Sequence, residues 1–154
     1  MAIDTKKLAL YLVTDPNLCA KFGLIETVKA AVVGGVSIVQ LRDKNASTAQ
    51  IIHHAKALQP ILATHNVPLI INDDVEAAIA CGADGIHVGQ DDLDVVKVRH
   101  KVGPDKIVGL SVETAEAAQI VDAGIVDYIG ISPIFATQTK SDHKPPVGFD
   151  GLVN

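Results

Sequence analysis

The sequence predicts an α/β protein built on a parallel sheet. Two observations predict it. Short apolar runs alternate with alanine-rich helical patterns along all 154 residues, with no linker or low-complexity tract between them. The apolar runs then give way to polar groups: V-Q-L-R-D-K at 39–44, I-I-N-D-D at 70–74, H-V-G-Q-D-D at 87–92, G-L-S at 109–111 and S-P-I-F-A-T-Q-T-K at 132–140. Strands that repeatedly end in reactive groups build a site at one end of a sheet.

The elements follow in order. Residues 8–13 form the first strand candidate, and 24–33 a helix ended by Gly34-Gly35. The second strand is 36–41 and the second helix 48–64, with Ser47 as its N-cap. Strand 68–71 precedes a short helix at 73–81, with Gly82 where a left-handed C-cap belongs. Strand 85–88 leads to helix 93–102, closed by Gly103-Pro104. Strand 107–110, helix 113–123 with Gly124 behind it, and strand 128–131 complete six strands. Residues 132–147 are polar and proline-bearing and read as a long loop, and 148–154 begin a last helix.

Two closures are open to such a sheet. A doubly wound sheet carries helices on both faces; a barrel puts them all outside and gathers the polar strand ends at one mouth. The first strand-to-helix turn, T-D-P-N at 14–17, lacks the G-x-G-x-x-G dinucleotide fingerprint. Polar residues end at least five of the six strands, which suits the barrel better. An eight-stranded barrel needs roughly 200 residues or more. Six strands therefore imply a fragment or an open or swapped variant.

Composition excludes some functions. A formal net charge of -5 with no basic stripe or aromatic stacking platform disfavours a nucleic-acid binder. Cys19 and Cys81 stand alone, without zinc or disulfide spacing, and are expected reduced. No signal peptide and no membrane-length apolar segment is legible, so a soluble, cytoplasmic protein is expected.

The chemistry concentrates at the strand ends. Gln40, Arg42 and Lys44 share one face of an extended run. An amide, a guanidinium and an ammonium there are costly unless something anionic sits before them. Asp73 and Asp92 follow neighbouring strands. Each alone reads as a helix N-cap; with Arg42, Lys44 and Lys140 at the same rim they read as a magnesium pair beside a diphosphate. Gln40 and Asn72 either orient a heterocycle or phosphate or are satisfied core amides. Ser111 either donates to a phosphate or caps a helix. Thr137, Thr139 and Lys140 are anion-binding equipment or a solvated loop. His87 follows a buried strand and reads as a hydrogen-bonded core residue. No histidine–acid pair supports a nucleophilic serine.

Together, Q-L-R-D-K at 40–44, N-D-D at 72–74, G-A-D-G-I-H-V-G-Q-D-D at 82–92, G-L-S-V at 109–112, Y-I-G-I-S-P-I-F-A-T-Q-T-K at 128–140 and P-V-G-F-D-G-L at 146–152 resemble the thiamine-phosphate synthase (thiamine-phosphate pyrophosphorylase) family. The resemblance covers the whole chain. It implies a (β/α)8 TIM-type barrel with the first six βα units present and the last two missing, so that residues 1–154 form a single incomplete barrel domain. It implies a transferase of thiamine biosynthesis that joins 4-amino-2-methyl-5-hydroxymethylpyrimidine diphosphate to a thiazole phosphate, with release of diphosphate and with Mg2+ as cofactor. The implied catalytic residues are Arg42, Lys44, Ser111 and Lys140. Substrate contacts fall on Gln40, Leu41, Arg42, Asp43 and Lys44, on Asn72 and Ser111, and on Thr137, Gln138, Thr139 and Lys140. Among these the thiazole partner meets Thr137 and Thr139. Asp73 and Asp92 hold the metal. The family ionises the pyrimidine to a carbocation-like species, so no covalent nucleophile is required.

Ser132 departs from the family's usual glycine in G-P-I-F, and the segment expected to hold the thiazole phosphate would follow Asn154. The expected partners are the two small-molecule substrates, with neither nucleic acid nor membrane, and self-association through exposed strand edges. Two other readings stand beside this one: a thiazole tautomerase-like relative, and a non-catalytic ligand-binding fragment.

Overall fold

The computed structural model describes residues 3–90, 92–136 and 145–153. Six strands, β1 (Tyr11–Val13), β2 (Ile38–Leu41), β3 (Leu69–Asn72), β4 (Gly85–Val88), β5 (Ile107–Val112) and β6 (Tyr128–Ile131), lie in sequence order in one sheet, every pair parallel. Helices α1 (Pro16–Cys19), α2 (Leu24–Val33), α3 (Thr48–Thr64), α4 (Val75–Cys81), α5 (Val95–Val102) and α6 (Ala115–Gln119) fill the crossovers, and α7 (Asp150–Val153) follows β6.

The (β/α)8 TIM-type barrel implied by the resemblance, with its first six units present and the last two missing, is not the fold. β1 pairs only with β2 and β6 only with β5, so the sheet is an open half-barrel. Closure would require every strand to be bonded on both sides with a consistent tilt and stagger. The sheet is nonetheless curved: the side chains of Tyr11 in β1 and Tyr128 in β6 meet across its hollow face.

Alternation along each strand divides the two faces. Val39 and Leu41, Leu69 and Ile71, Ile86 and Val88, and Val108, Leu110 and Val112 pack with the helices in one apolar cluster. The helix side of that cluster includes Ile51, Ala55, Leu58 and Leu62, one stripe of α3 at helical spacing. Residues of the other parity, Gln40, Asn72, His87, Ser111 and Tyr128, face the hollow.

Local chemistry explains where elements begin. Ser47 and Gln50 form a reciprocal capping box at α3. Asp74 caps α4 by accepting from Ala77 N, and Gly82 ends it with φ 69°. Asp94 caps α5. The T-D-P-N turn hides a helix: Asp15 caps α1 and Pro16 opens it, the position where a missing N–H does no harm. The first strand starts later than residue 8, since Thr5–Leu8 is a 3-10 turn capped by Asp4.

A part-buried polar staple holds the other end of β5 and β6. Arg99 donates to the carbonyls of Ile125, Gly103 and Lys106 at 3.0, 3.0 and 2.6 Å, and pairs with Asp127 at 2.6 Å. The same Asp127 oxygen accepts from Val108 N at 2.8 Å. Each of these part-buried groups is thereby satisfied. Among the described residues no helix is long and apolar enough to cross a membrane. Cys19 and Cys81 are buried and free.

Candidate active site

The carboxyl ends of the strands surround a cleft of about 530 Å³ on the hollow side. Gln40, Arg42, Lys44, Asn72, Asp73, Asp92 and Ser111 all line it. Six of these seven come from three successive strand ends; Ser111 comes from within β5. Arg42 and Lys44 lie past the end of β2 rather than on it, yet they remain on the same side as Gln40. Thr14 holds that geometry. It is 3 % exposed, accepts from Arg42 N at 2.9 Å and donates to Arg42 O at 3.1 Å. A fully paired buried hydroxyl fixes the backbone from which the guanidinium projects. Leu41 is buried on the helix side of the same strand. Asp43 accepts from Asn45 N at 3.0 Å. Thr137, Gln138, Thr139 and Lys140 lie outside the described residues.

The two aspartates do not cap helices. Asp74 and Asp94 take those roles, which leaves Asp73 and Asp92 facing one another. Asp73 sits at φ 60°, a left-handed conformation uncommon for a residue with a side chain but tolerated by aspartate. That turn aims its carboxyl at Asp92, with which it hydrogen-bonds. Asp92 is anchored by Gly89 N at 2.6 Å. A Cβ on Gly89 would sit 2.9 Å from the same carboxylate oxygen and would push it aside.

Burial, then the hydrogen bond and negative charge of Asp92, push Asp73 up to about 6; Asn72 and Lys44 pull the other way. Two carboxylates held in contact need a proton or a cation between them. Among the described residues no group of three or more His, Cys, Asp or Glu converges to hold a metal. Two hard oxygen donors are what a phosphate-bound divalent cation takes from a protein, the rest of its shell being phosphate oxygen and water. The donor set fits that use.

A second feature crosses the floor of the cleft. Gln40 Nε2 donates to Tyr11 OH at 3.0 Å, Tyr11 OH meets Tyr128 OH at 2.6 Å, Tyr128 OH meets His87 Nδ1 at 3.0 Å, and His87 Nε2 meets Ser111 Oγ at 2.8 Å. Five residues from β1, β2, β4, β5 and β6 thus form one hydrogen-bonded chain. Burial raises the pKa of both phenols, so both stay protonated. Gly109 makes room: a Cβ there would overlap the Tyr128 ring and lie 2.5 Å from His87 Nδ1. His87 is buried and hydrogen-bonded, as a core residue would be, but it also lines the cleft. Sequence reasoning did not single out Thr14, Tyr11 or Tyr128. The one signal was composition: these are the chain's two tyrosines, each in a strand.

The family model described as thiamine monophosphate synthase matches residues 10–154. The chain belongs to the thiamine monophosphate synthase family. It is 50% identical over 145 residues to the thiamine-phosphate synthase of Azorhizobium caulinodans, covering 94% of this chain and 68% of that protein. It is 48% identical over 150 residues to the thiamine-phosphate synthase of Albidiferax ferrireducens, covering 97% and 68%. Among solved structures, the thiamine phosphate pyrophosphorylase of Pyrococcus furiosus superposes with a TM-score of 0.83 at 30% identity, covering 96% of this chain and 68% of that one. Membership makes this chain a transferase of thiamine biosynthesis with thiamine-phosphate synthase function.

Proposed function

We propose that the cleft binds a pyrimidine diphosphate and condenses it with a thiazole phosphate, giving thiamine phosphate and diphosphate. The observation that carries this reading is the convergence of Arg42, Lys44, Asn72 and Ser111 on the rim that holds the Asp73–Asp92 pair. Cations, an amide and a hydroxyl around two carboxylates suit a diphosphate that bears a metal.

The residues take distinct parts. Arg42 offers a planar fork and Lys44 a point charge to the phosphate oxygens. As the bond to the pyrimidine breaks, negative charge gathers on the departing diphosphate, and both cations stabilise it without reorganising. Asn72 and Ser111 hold its orientation by hydrogen bonds. Asp73 and Asp92 would hold Mg2+, which supplies further charge stabilisation to the diphosphate when bound. Lys140 is assigned to the diphosphate, and Thr137, Gln138 and Thr139 to the thiazole side, on the family resemblance of A-T-Q-T-K. Residues 1–154 act here as a single domain.

The test is diphosphate release with both substrates and magnesium present. We expect product with wild type and a large loss with Asp92→Asn that added magnesium only partly restores. Wild-type activity of Asp92→Asn at low magnesium would refute the metal assignment.

A further inference from the structure

We propose that the chain Gln40–Tyr11–Tyr128–His87–Ser111 is a directed relay that locks His87 as its Nε2–H tautomer and so turns the Ser111 proton into the cleft. Tyr11, Tyr128 and His87 are positioning residues that act through Ser111. The use of that proton on a diphosphate oxygen rests on the function proposed above; the direction of the relay does not.

The direction follows from donors and acceptors. Gln40 donates through its amide nitrogen, so Tyr11 receives a proton at its oxygen. The near acceptor for Tyr11's own proton is Tyr128, at 2.6 Å. Tyr128 then gives its proton to His87 Nδ1, at 3.0 Å. A neutral imidazole that accepts at Nδ1 carries its proton on Nε2 and donates it to Ser111 Oγ, at 2.8 Å. Ser111 has now accepted within the chain, and its hydroxyl proton is left for the cleft it lines. Reversed, the relay would bring two donors onto Tyr11 oxygen. With the Gln40 amide nitrogen turned to Tyr11, it would also leave the Tyr11 proton with no acceptor among the described residues.

Burial makes the direction consequential. Gln40 is 4 %, His87 8 % and Tyr128 9 % exposed, and unmet polar groups at that depth are expensive. Gly109 keeps the Tyr128–His87 contact free of any side chain. A hydroxyl whose oxygen is already engaged becomes a donor toward the ligand rather than an indifferent rotor.

The tautomer can be read without substrate. In the full chain with 15N-labelled histidine, His87 is identified as the ring signal missing from His87→Gln. We expect a neutral ring with Nε2 protonated and Nδ1 bare. Tyr128→Phe removes the donor to Nδ1, and the His87 nitrogens should then shift toward a mixture of tautomers. Protonated Nδ1 in wild type, or an unchanged His87 signal in Tyr128→Phe, would overturn the relay.

Rescue supplies the second arm. Gln in place of His87 carries an amide donor where Nε2 was, and Asn carries one where Nδ1 was. With the pyrimidine diphosphate as titrant, His87→Asn and Ser111→Ala should each weaken binding about tenfold, the size of one hydrogen bond. His87→Gln should recover most of that loss. Equal losses in the two variants, with unchanged thermal melts, would overturn the route through Ser111. Absence of binding by wild type would instead refute the proposed function, and the tautomer would still decide the relay.

Discussion

The hydroxyls of Tyr11 and Tyr128 meet at 2.6 Å although the two residues are 117 positions apart and sit on the first and last strands of the sheet. Their rings are tilted, with centroids 5.8 Å apart. Two strands that never exchange a backbone hydrogen bond are thus joined by one side-chain contact across the hollow. The half-barrel is curved enough to bring its edges' side chains together and open enough to leave a cleft.

That contact depends on the empty space at Gly109. Gly109→Ala would drive a methyl group into Tyr128 and His87. Overpacking of this kind costs about 1–3 kcal/mol. A melt lowered by several degrees, with the His87 ring signals displaced, is the expected result. An unchanged melt would show that the sheet shifts freely here.

The aspartate pair makes stability depend on pH in a stated direction. Asp73 in the folded chain sits at about 6, above its ordinary value of 3.8. The folded state therefore binds this proton more tightly than the unfolded state. Its favourable contribution is full below about 4 and is lost as pH rises through about 6. Without added divalent cation, this group should make the chain more stable at pH 5 than at pH 7.5. Asp92→Asn, which removes the neighbouring charge but not the burial, should reduce that difference. Thermal melts of both proteins across the interval measure it.

Arg42→Lys keeps the charge and loses the fork. Affinity for the pyrimidine diphosphate should fall about tenfold, one charge-assisted hydrogen bond. Unaltered affinity by calorimetry would remove Arg42 from the contact set.

Asp127→Ala should act on stability and leave the cleft chemistry alone. It strips Arg99 of its 2.6 Å partner and Val108 N of its acceptor, in side chains only 17 % and 11 % exposed. Breaking a part-buried pair from one side costs up to about 3 kcal/mol. Chemical denaturation should show that loss, while substrate affinity of the folded fraction stays at the wild-type level.

The outer edges of β1 and β6 carry no strand partner among the described residues. Exposed edges template pairing with other chains. Leu10 and Val13 beside and within β1, and Ile129 in β6, are 52, 45 and 37 % exposed. We expect concentration-dependent association by sedimentation, reduced by Val13→Lys. A single monomeric species at all concentrations would exclude it.

Much of this protein was legible in its sequence because the signals are local. The apolar runs at 85–88 and 128–131 are strands over those residues, and Ser47 caps the helix whose stripe packs the core. Gln40, Arg42, Lys44, Asp73, Asp92 and Ser111 share a rim because every parallel strand points its carboxyl end the same way. Tertiary structure alone decided the rest. Closure depends on whether the first and last strands bond, and six strands in sequence order left them unbonded. Which aspartate caps and which faces the cleft turned on a single φ of 60° at Asp73, beside Asp74 in the same N-D-D run. The relay joins five strands through side chains whose partners lie 24 to 117 positions away. Periodicity carries no record of such pairings, because they arise only when the sheet's curvature brings opposite edges within a hydrogen bond of each other.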